Sequence, residues 1–287
     1  MPSLATRVAA ETFRLLPRKR MSRGLGVLAD RPAGRAVVQQ LVDLYVRAYG
    51  VDLAEAEVPP GGFRTFDEFF TRALRPGLRP IEGDEGTLVS PADGRVEDCG
   101  PVEPDARVHV KGSDYALGEL LGDPRDGARF EGGRFAVVYL SPRDYHRVHA
   151  PVDGRVETVR HVGGTLLPVN PFGVRSYPKL FARNERVAVY QRSEVHGEVV
   201  SILVGAVEVR RISLSFDPSI MTNVGRGPTT QRYDPSEAPR LERGGELGMF
   251  HLGSTVIVVT RPEAELELAV RAGERVSMGR ALAVPSR

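Results

Sequence analysis

Apolar residues change their period partway along the chain. Over residues 34–49, Val37, Val38, Leu41, Leu44, Tyr45 and Ala48 recur at helical spacing and predict a helix. A second helix is predicted from Thr65, where Glu68 three positions later completes a capping box. It carries Phe66, Phe69 and Phe70, which read as packing residues, and is expected to end near Arg75-Pro76-Gly77. From about residue 86, short Val-rich segments alternate with Gly, Pro and Asp turns, as in an all-β region. The expected fold class is α+β, mainly β. Residues 1–80 form an N-terminal helical region and residues 81–287 a β-rich one.

One repeat lies inside the β-rich part. Ser90-Pro-Ala-Asp-Gly-Arg-Val-Glu97 matches Ala150-Pro-Val-Asp-Gly-Arg-Val-Glu157 at six of eight positions, 60 residues apart. Each copy reads as a proline-led turn, an Asp-Gly step suited to a left-handed backbone, and an outgoing strand. Gly273 to Gly279 has a similar cadence. A duplicated turn-strand unit suggests a pseudo-symmetric β fold resembling the barrel-sandwich hybrids.

Composition narrows the function classes. At 287 residues the chain can bury one large core or two small ones. A net charge of +2 is too small to imply nucleic acid. No run of about 18 apolar residues is present to span a membrane, and the N-terminus lacks a signal-peptide pattern. Cys99 is the only cysteine, which points to a reducing compartment. The only lysines are Lys19, Lys111 and Lys179, which leaves little scope for a lysine Schiff base. Residues 1–23 carry Arg7, Arg14, Arg18, Lys19, Arg20 and Arg23 against one acid, Glu11. That arm reads either as a segment lying on an anionic membrane or as a solvated basic tail.

Candidate chemistry centres on Leu252-Gly253-Ser254-Thr255-Val256. Gly253 leaves its carbonyl open to attack, and the β-branched run from Thr255 to Thr260 reads as a buried strand that would fix Ser254 at its start. A plain turn before a strand is the simpler reading of these residues alone. A serine hydroxyl becomes a nucleophile when an oriented base takes its proton. His146 and His149 lie together between Pro142 and Pro151, on an extended segment that would aim them at opposite faces. Asp93 and Asp153, one in each repeat turn, are both candidates for the orienting acid, and both are equally turn-formers. Spacing does not choose between them.

Taken in order, several stretches carry a family resemblance. They are Phe66-Asp-Glu-Phe-Phe-Thr-Arg72 with Arg75-Pro-Gly77, Pro91-Ala-Asp-Gly94, Tyr145-His-Arg-Val-His-Ala-Pro151, Val169-Asn-Pro171, Phe181-Ala-Arg-Asn-Glu-Arg-Val187, Val204-Gly-Ala206 and Gly248-Met-Phe-His-Leu-Gly-Ser-Thr-Val256. Together they resemble the bacterial phosphatidylserine decarboxylases, pyruvoyl-dependent enzymes of the shorter membrane-associated form. The resemblance implies self-cleavage between Gly253 and Ser254, with Asp93, His149 and Ser254 as the charge-relay triad. Ester formation, elimination and loss of ammonia would turn Ser254 into a covalent pyruvoyl group. The products would be a β-chain of residues 1–253 and an α-chain of residues 254–287, held as a heterodimer. Phosphatidylserine would then form a Schiff base on that group, lose CO₂ and leave as phosphatidylethanolamine. His146 is the candidate proton donor.

The resemblance also implies a peripheral place on the cytoplasmic side of the cell membrane, with no metal. Arg147, Arg183 and Arg186 are possible head-group contacts, each equally possible as a fold-stabilising residue. Residues 217–240 depart from the family pattern, and Arg243 stands where the family often has lysine. Two other readings compete. A barrel-sandwich carrier module would need a modifiable lysine where the repeats have Arg95 and Arg155. A zinc peptidase would use His146 and His149 as ligands.

Overall fold

The computed structural model describes residues 34–110, 112–169, 173, 176–206, 211–223, 227–251 and 254–286. The basic arm of residues 1–23 and the glycine of the Gly253-Ser254 pair lie outside them. The first described helix, α1 (Arg35–Tyr49), stops at Gly50, whose left-handed φ of 68° lets its N–H close onto Val46 O. Its apolar stripe is only partly buried. Val38 and Val42 point inward, while Val37, Leu41 and Leu44 are exposed.

Helix α2 (Phe66–Phe70) starts as expected, with Thr65 Oγ1 accepting from Glu68 N at 3.0 Å. It ends earlier than the sequence suggests. Residues 73–75 run extended beside 55–57, with Glu57 N donating to Ala73 O and Arg75 N to Glu55 O, each at 2.9 Å. Helical geometry would break that pairing. Phe69 and Phe70 pack with Val38, Val42, Val51 and Phe63 into a small core of their own.

The rest is mainly β. Its centre is a nine-stranded antiparallel sheet. Strands β1 (Gly94–Pro101), β2 (Arg134–Leu140), β4 (Gly154–Val162), β5 (Arg186–Ser193), β6 (Gly197–Gly205), β9 (Ser254–Thr260) and β10 (Arg275–Val276) belong to it. Their order is β4-β5-β6-β9-β2-β1-β10, with Thr229–Arg232 and Arg240–Leu241 both paired to β4. All seven residues of β9 are buried, so both faces of this central strand are covered. That explains a continuous apolar run in place of an alternating one. A smaller sheet orders β7 (Ile212–Leu214), β8 (Glu246–Phe250) and β3 (Arg147–His149).

The sequence repeat is structural. β1 and β4 are its two outgoing strands, and each carries a bulge at the same place, between Val96 and Asp98 and between Val156 and Thr158. The glycines serve a purpose other than the expected one. Neither Gly94 nor Gly154 has a positive φ. A Cβ at Gly94 would sit 2.4 Å from Tyr139 O, and one at Gly154 would sit 2.7 Å from Arg192 O. Close approach of the neighbouring backbone, not turn handedness, excludes a side chain there.

Candidate functional site

Ser254 opens β9 and is held from both sides. It stands opposite Leu140 of β2 and Gly205 of β6. The residue is fully buried, and its Oγ has no hydrogen-bond partner among the described residues. A buried hydroxyl without a partner costs about 1–3 kcal/mol, which the fold must offset elsewhere. Asp93 enters the same end of the sheet. Thr255 and Arg95 both face Tyr139 from opposite sides, which sets Gly94 two strands from Ser254. At about 4.8 Å per strand, their backbones are roughly 10 Å apart.

His149 ends β3 next to this row, with its N–H donating to Pro91 O at 2.8 Å. Its ring Nδ1 lies 2.7 Å from Gly244 O. A carbonyl only accepts, so Nδ1 carries the proton and Nε2 keeps its lone pair. That Nε2 accepts from the Tyr145 hydroxyl at 3.1 Å. Burial lowers the His149 pKa, while the Gly244 carbonyl and the nearby Glu246 and Asp93 charges raise it. The ring is therefore a neutral base at pH 7.

His146 adopts the same tautomer. Its Nδ1 donates to Asp144 O at 2.8 Å, and its buried Nε2 has no partner among the described residues. The ring packs against Phe70, centroids 4.1 Å apart. Burial drives its pKa down to about 3, and the Arg72 charge pushes in the same direction. Arg72 is itself buried, with Nε and Nη1 unpartnered among the described residues. Its Nη2 donates to Arg143 O at 3.3 Å.

The Asp93 carboxylate is committed to other donors. Arg79 Nη2 reaches it at 2.6 Å, Arg79 Nε at 3.0 Å and the Met278 N–H at 2.8 Å. Arg79 also pairs with Glu55 at 2.7 Å. Asp93 and His149 thus share one site without a direct hydrogen bond, and Gly244 O is the group that orients the ring. Asp153 accepts from Arg243 N at 3.0 Å, as a turn residue does. A cavity of about 340 Å³ opens beside Asp93, Arg79, Arg72, Asp144 and Tyr145. A larger cleft of about 710 Å³, near Arg160 and Thr229, is lined by none of Asp93, His146, His149 or Ser254.

The arginines singled out from sequence have structural duties. Arg186 is buried and donates to the carbonyls of Leu120, Ala182, Asn184 and Glu119. Arg147 pairs with Glu246 at 2.7 Å and donates to Thr71 O at 2.9 Å. Arg183 is exposed. Arg243 donates to the carbonyls of Gly83, Asp84 and Thr87. Sequence reasoning passed over Arg79, Arg72 and Tyr145 as site residues, although two of them lie inside quoted motifs. No group of three or more His, Cys, Asp or Glu side chains converges as a metal site among the described residues, which leaves the zinc reading without support there.

The family model of phosphatidylserine decarboxylase matches residues 66–284. The phosphatidylserine decarboxylase proenzyme of Anaeromyxobacter sp. (strain K) is 42% identical over 277 residues, 96% of this chain and 98% of its own length. That of Brevibacillus brevis is 38% identical over 270 residues, covering 93% of this chain and 94% of its own length. That of Bordetella avium is 42% identical over 262 residues, covering 91% and 88%. With a match across most of its length, this chain belongs to the phosphatidylserine decarboxylase family.

Proposed function

We propose that the chain is a proenzyme that cuts its own Gly253–Ser254 bond and then decarboxylates phosphatidylserine to phosphatidylethanolamine. The observation that carries this reading is Ser254 Oγ, a buried hydroxyl without a partner among the described residues, at the first residue of a strand clamped on both sides. The relatives' shared name, proenzyme, supports a chain that matures by cleavage.

In the cleavage step, His149 Nε2 takes the Ser254 proton and the alkoxide attacks the Gly253 carbonyl carbon. The C–N bond breaks as the serine oxygen takes over the acyl group, and the nitrogen leaves as the amine of Ser254. Gly244 O keeps the His149 proton on Nδ1, which leaves Nε2 an acceptor, held by the Tyr145 hydroxyl until Ser254 takes that hydroxyl's place. Asp93 acts on that ring through its field and not through a contact. Arg79 and Met278 N fix the carboxylate for that purpose. Elimination across Cα and Cβ of Ser254, then hydrolysis with loss of ammonia, yields the pyruvoyl group at the new N-terminus. The fully buried position of Ser254 fits such a group, because it excludes water from a reactive carbonyl.

Once formed, that group supplies an electron sink for loss of CO₂ from an amino acid. His146 handles the proton. A ring that is neutral at pH 7 cannot begin as a donor, so Nε2 first takes the proton shed by the substrate ammonium and later returns it to the carbon that lost CO₂. This refines the donor role expected from sequence.

The lipid substrate calls for a membrane surface, and the N-terminal region up to about residue 80 is suited to it. Val37, Leu41 and Leu44 form one exposed apolar face on α1, directly after a basic arm. No described helix is long and apolar enough to cross a bilayer. In this reading the enzyme works as a peripheral protein on an anionic leaflet, with its β- and α-chains joined through the pairing of β9 with β2 and β6.

Three outcomes follow. Ser254→Ala and His149→Ala should each remain a single uncut chain that releases no CO₂ from phosphatidylserine vesicles. Normal cutting in His149→Ala would remove it as the base. In the uncut Ser254→Ala background, His146 should add an acid limb to stability. Its folded pKa of about 3 lies below the ordinary 6.5, so the unfolded chain binds the proton more readily. Its contribution is full above pH 6.5 and falls toward pH 3. Urea unfolding should therefore show a slope steeper by about 1.4 kcal/mol per pH unit below pH 6 than in the same chain with His146→Asn. Parallel curves would contradict a buried neutral ring. Finally, a chain lacking residues 1–23 should cut itself normally but bind anionic vesicles less well, and loss of cutting would contradict a purely membrane-binding arm.

A further inference from the structure

His251 lies at the upstream edge of the bond proposed to be cut, and its side chain is fully engaged. Nδ1–H donates to Asp67 Oδ1 at 2.8 Å, and Nε2 lies 3.0 Å from Ser213 Oγ. Arg211 Nη2 also donates to Asp67, at 3.2 Å. The backbone is tied as well, with His251 N donating to Arg211 O and Phe250 N to His146 O, each at 3.0 Å. Asp67 belongs to α2, whose Phe70 packs on His146. The residues come from four separate stretches of chain, and His251 is buried. Apart from His146, which enters here through its backbone carbonyl and its ring contact with Phe70, none of them has a part in the chemistry described above.

Their placement suggests one. The chain leaves the small sheet at Phe250 and enters the large sheet at Ser254. His251 is fixed on one side of this crossing and Ser254 on the other. Three Cα–Cα steps separate them, at most about 11 Å. Fixing both ends reduces the conformational entropy that must be lost to order the link for attack. Anchoring His251 therefore limits how far the upstream side of the bond can move from Ser254, which favours an intramolecular attack.

We infer that Asp67 and His251 form a positioning clamp that sets the rate of self-cleavage by anchoring the upstream side of the Gly253–Ser254 bond to helix α2. The clamp rests on the reading of that bond as the cleavage site. It adds a dependence that the triad does not predict, because an N-terminal helix residue controls a cut 186 residues later. Asp67 needs a cation or N–H donor at position 251 to hold this segment, and the imidazole as such is not required.

The test follows full-length chain made by cell-free synthesis and resolved into cut and uncut forms over time. His251→Ala and Asp67→Asn should each slow cutting about 10- to 100-fold. His251→Lys should recover most of the rate, because its ammonium can pair with Asp67. The double change Asp67→Asn with His251→Lys should not recover it. Melting temperatures of the same variants in the Ser254→Ala background separate positioning from general stability. Wild-type cutting in His251→Ala, no rescue by lysine, or rates that only track the melting temperature would each overturn the clamp. A wild-type chain that never cuts would instead overturn the reading of the Gly253–Ser254 bond.

Discussion

The pairing of β9 between β2 and β6 is the constraint on which the rest depends. It places Ser254 at the mouth of the most buried strand in the molecule, with both neighbouring backbones committed to it. A strand paired on both sides cannot shift register without moving its whole apolar set, so the serine cannot slide or swing away. Its hydroxyl pays for that rigidity by lacking a partner among the described residues. In the proposed cleavage, the same pairing would hold the 34-residue segment from Ser254 to Arg287 to the rest of the chain.

Around this fixed point the polar groups are set by backbone carbonyls more than by carboxylates. Gly244 O and Asp144 O hold the Nδ1 protons of His149 and His146, so both rings keep an unprotonated Nε2, which at His149 accepts from the Tyr145 hydroxyl. Burial, aided by Arg72 at His146, keeps them neutral. In the proposed chemistry a neutral ring can serve as base in the cut and as proton carrier in turnover, whereas a ring already charged could not take the proton with which each step begins. Asp93 enters as a fixed charge held by Arg79, and that arginine links it through Glu55 to the N-terminal part of the chain.

Much of this was legible in the sequence where the cause is local. The capping box at Thr65, the change to β texture near residue 86 and the duplicated turn-strand unit are local patterns, and each has its counterpart in the structure. What failed depends on distant partners. Helix α2 stops early because residues 73–75 pair with 55–57. Gly94 and Gly154 are glycines because of carbonyls on neighbouring strands. Sequence left Arg186 open between a head-group contact and a fold-stabilising role, and its four carbonyl partners come from stretches that no local pattern connects to it. At the site, the motifs marked His146, His149 and Asp93, but tautomer and partner depend on Gly244, Asp144 and Arg79, which no spacing rule connects to them. His251 sat inside a quoted motif and was passed over because its partners Asp67 and Ser213 are far away in sequence.

The central claim is that this chain makes its own reactive group from Ser254. Intact mass spectrometry of the purified protein tests it most directly. The account predicts two chains, residues 1–253 and residues 254–287. The smaller should have no free amine and should be lighter by one ammonia than the peptide that begins with serine. A single uncut chain of 287 residues that still releases CO₂ from phosphatidylserine would contradict it.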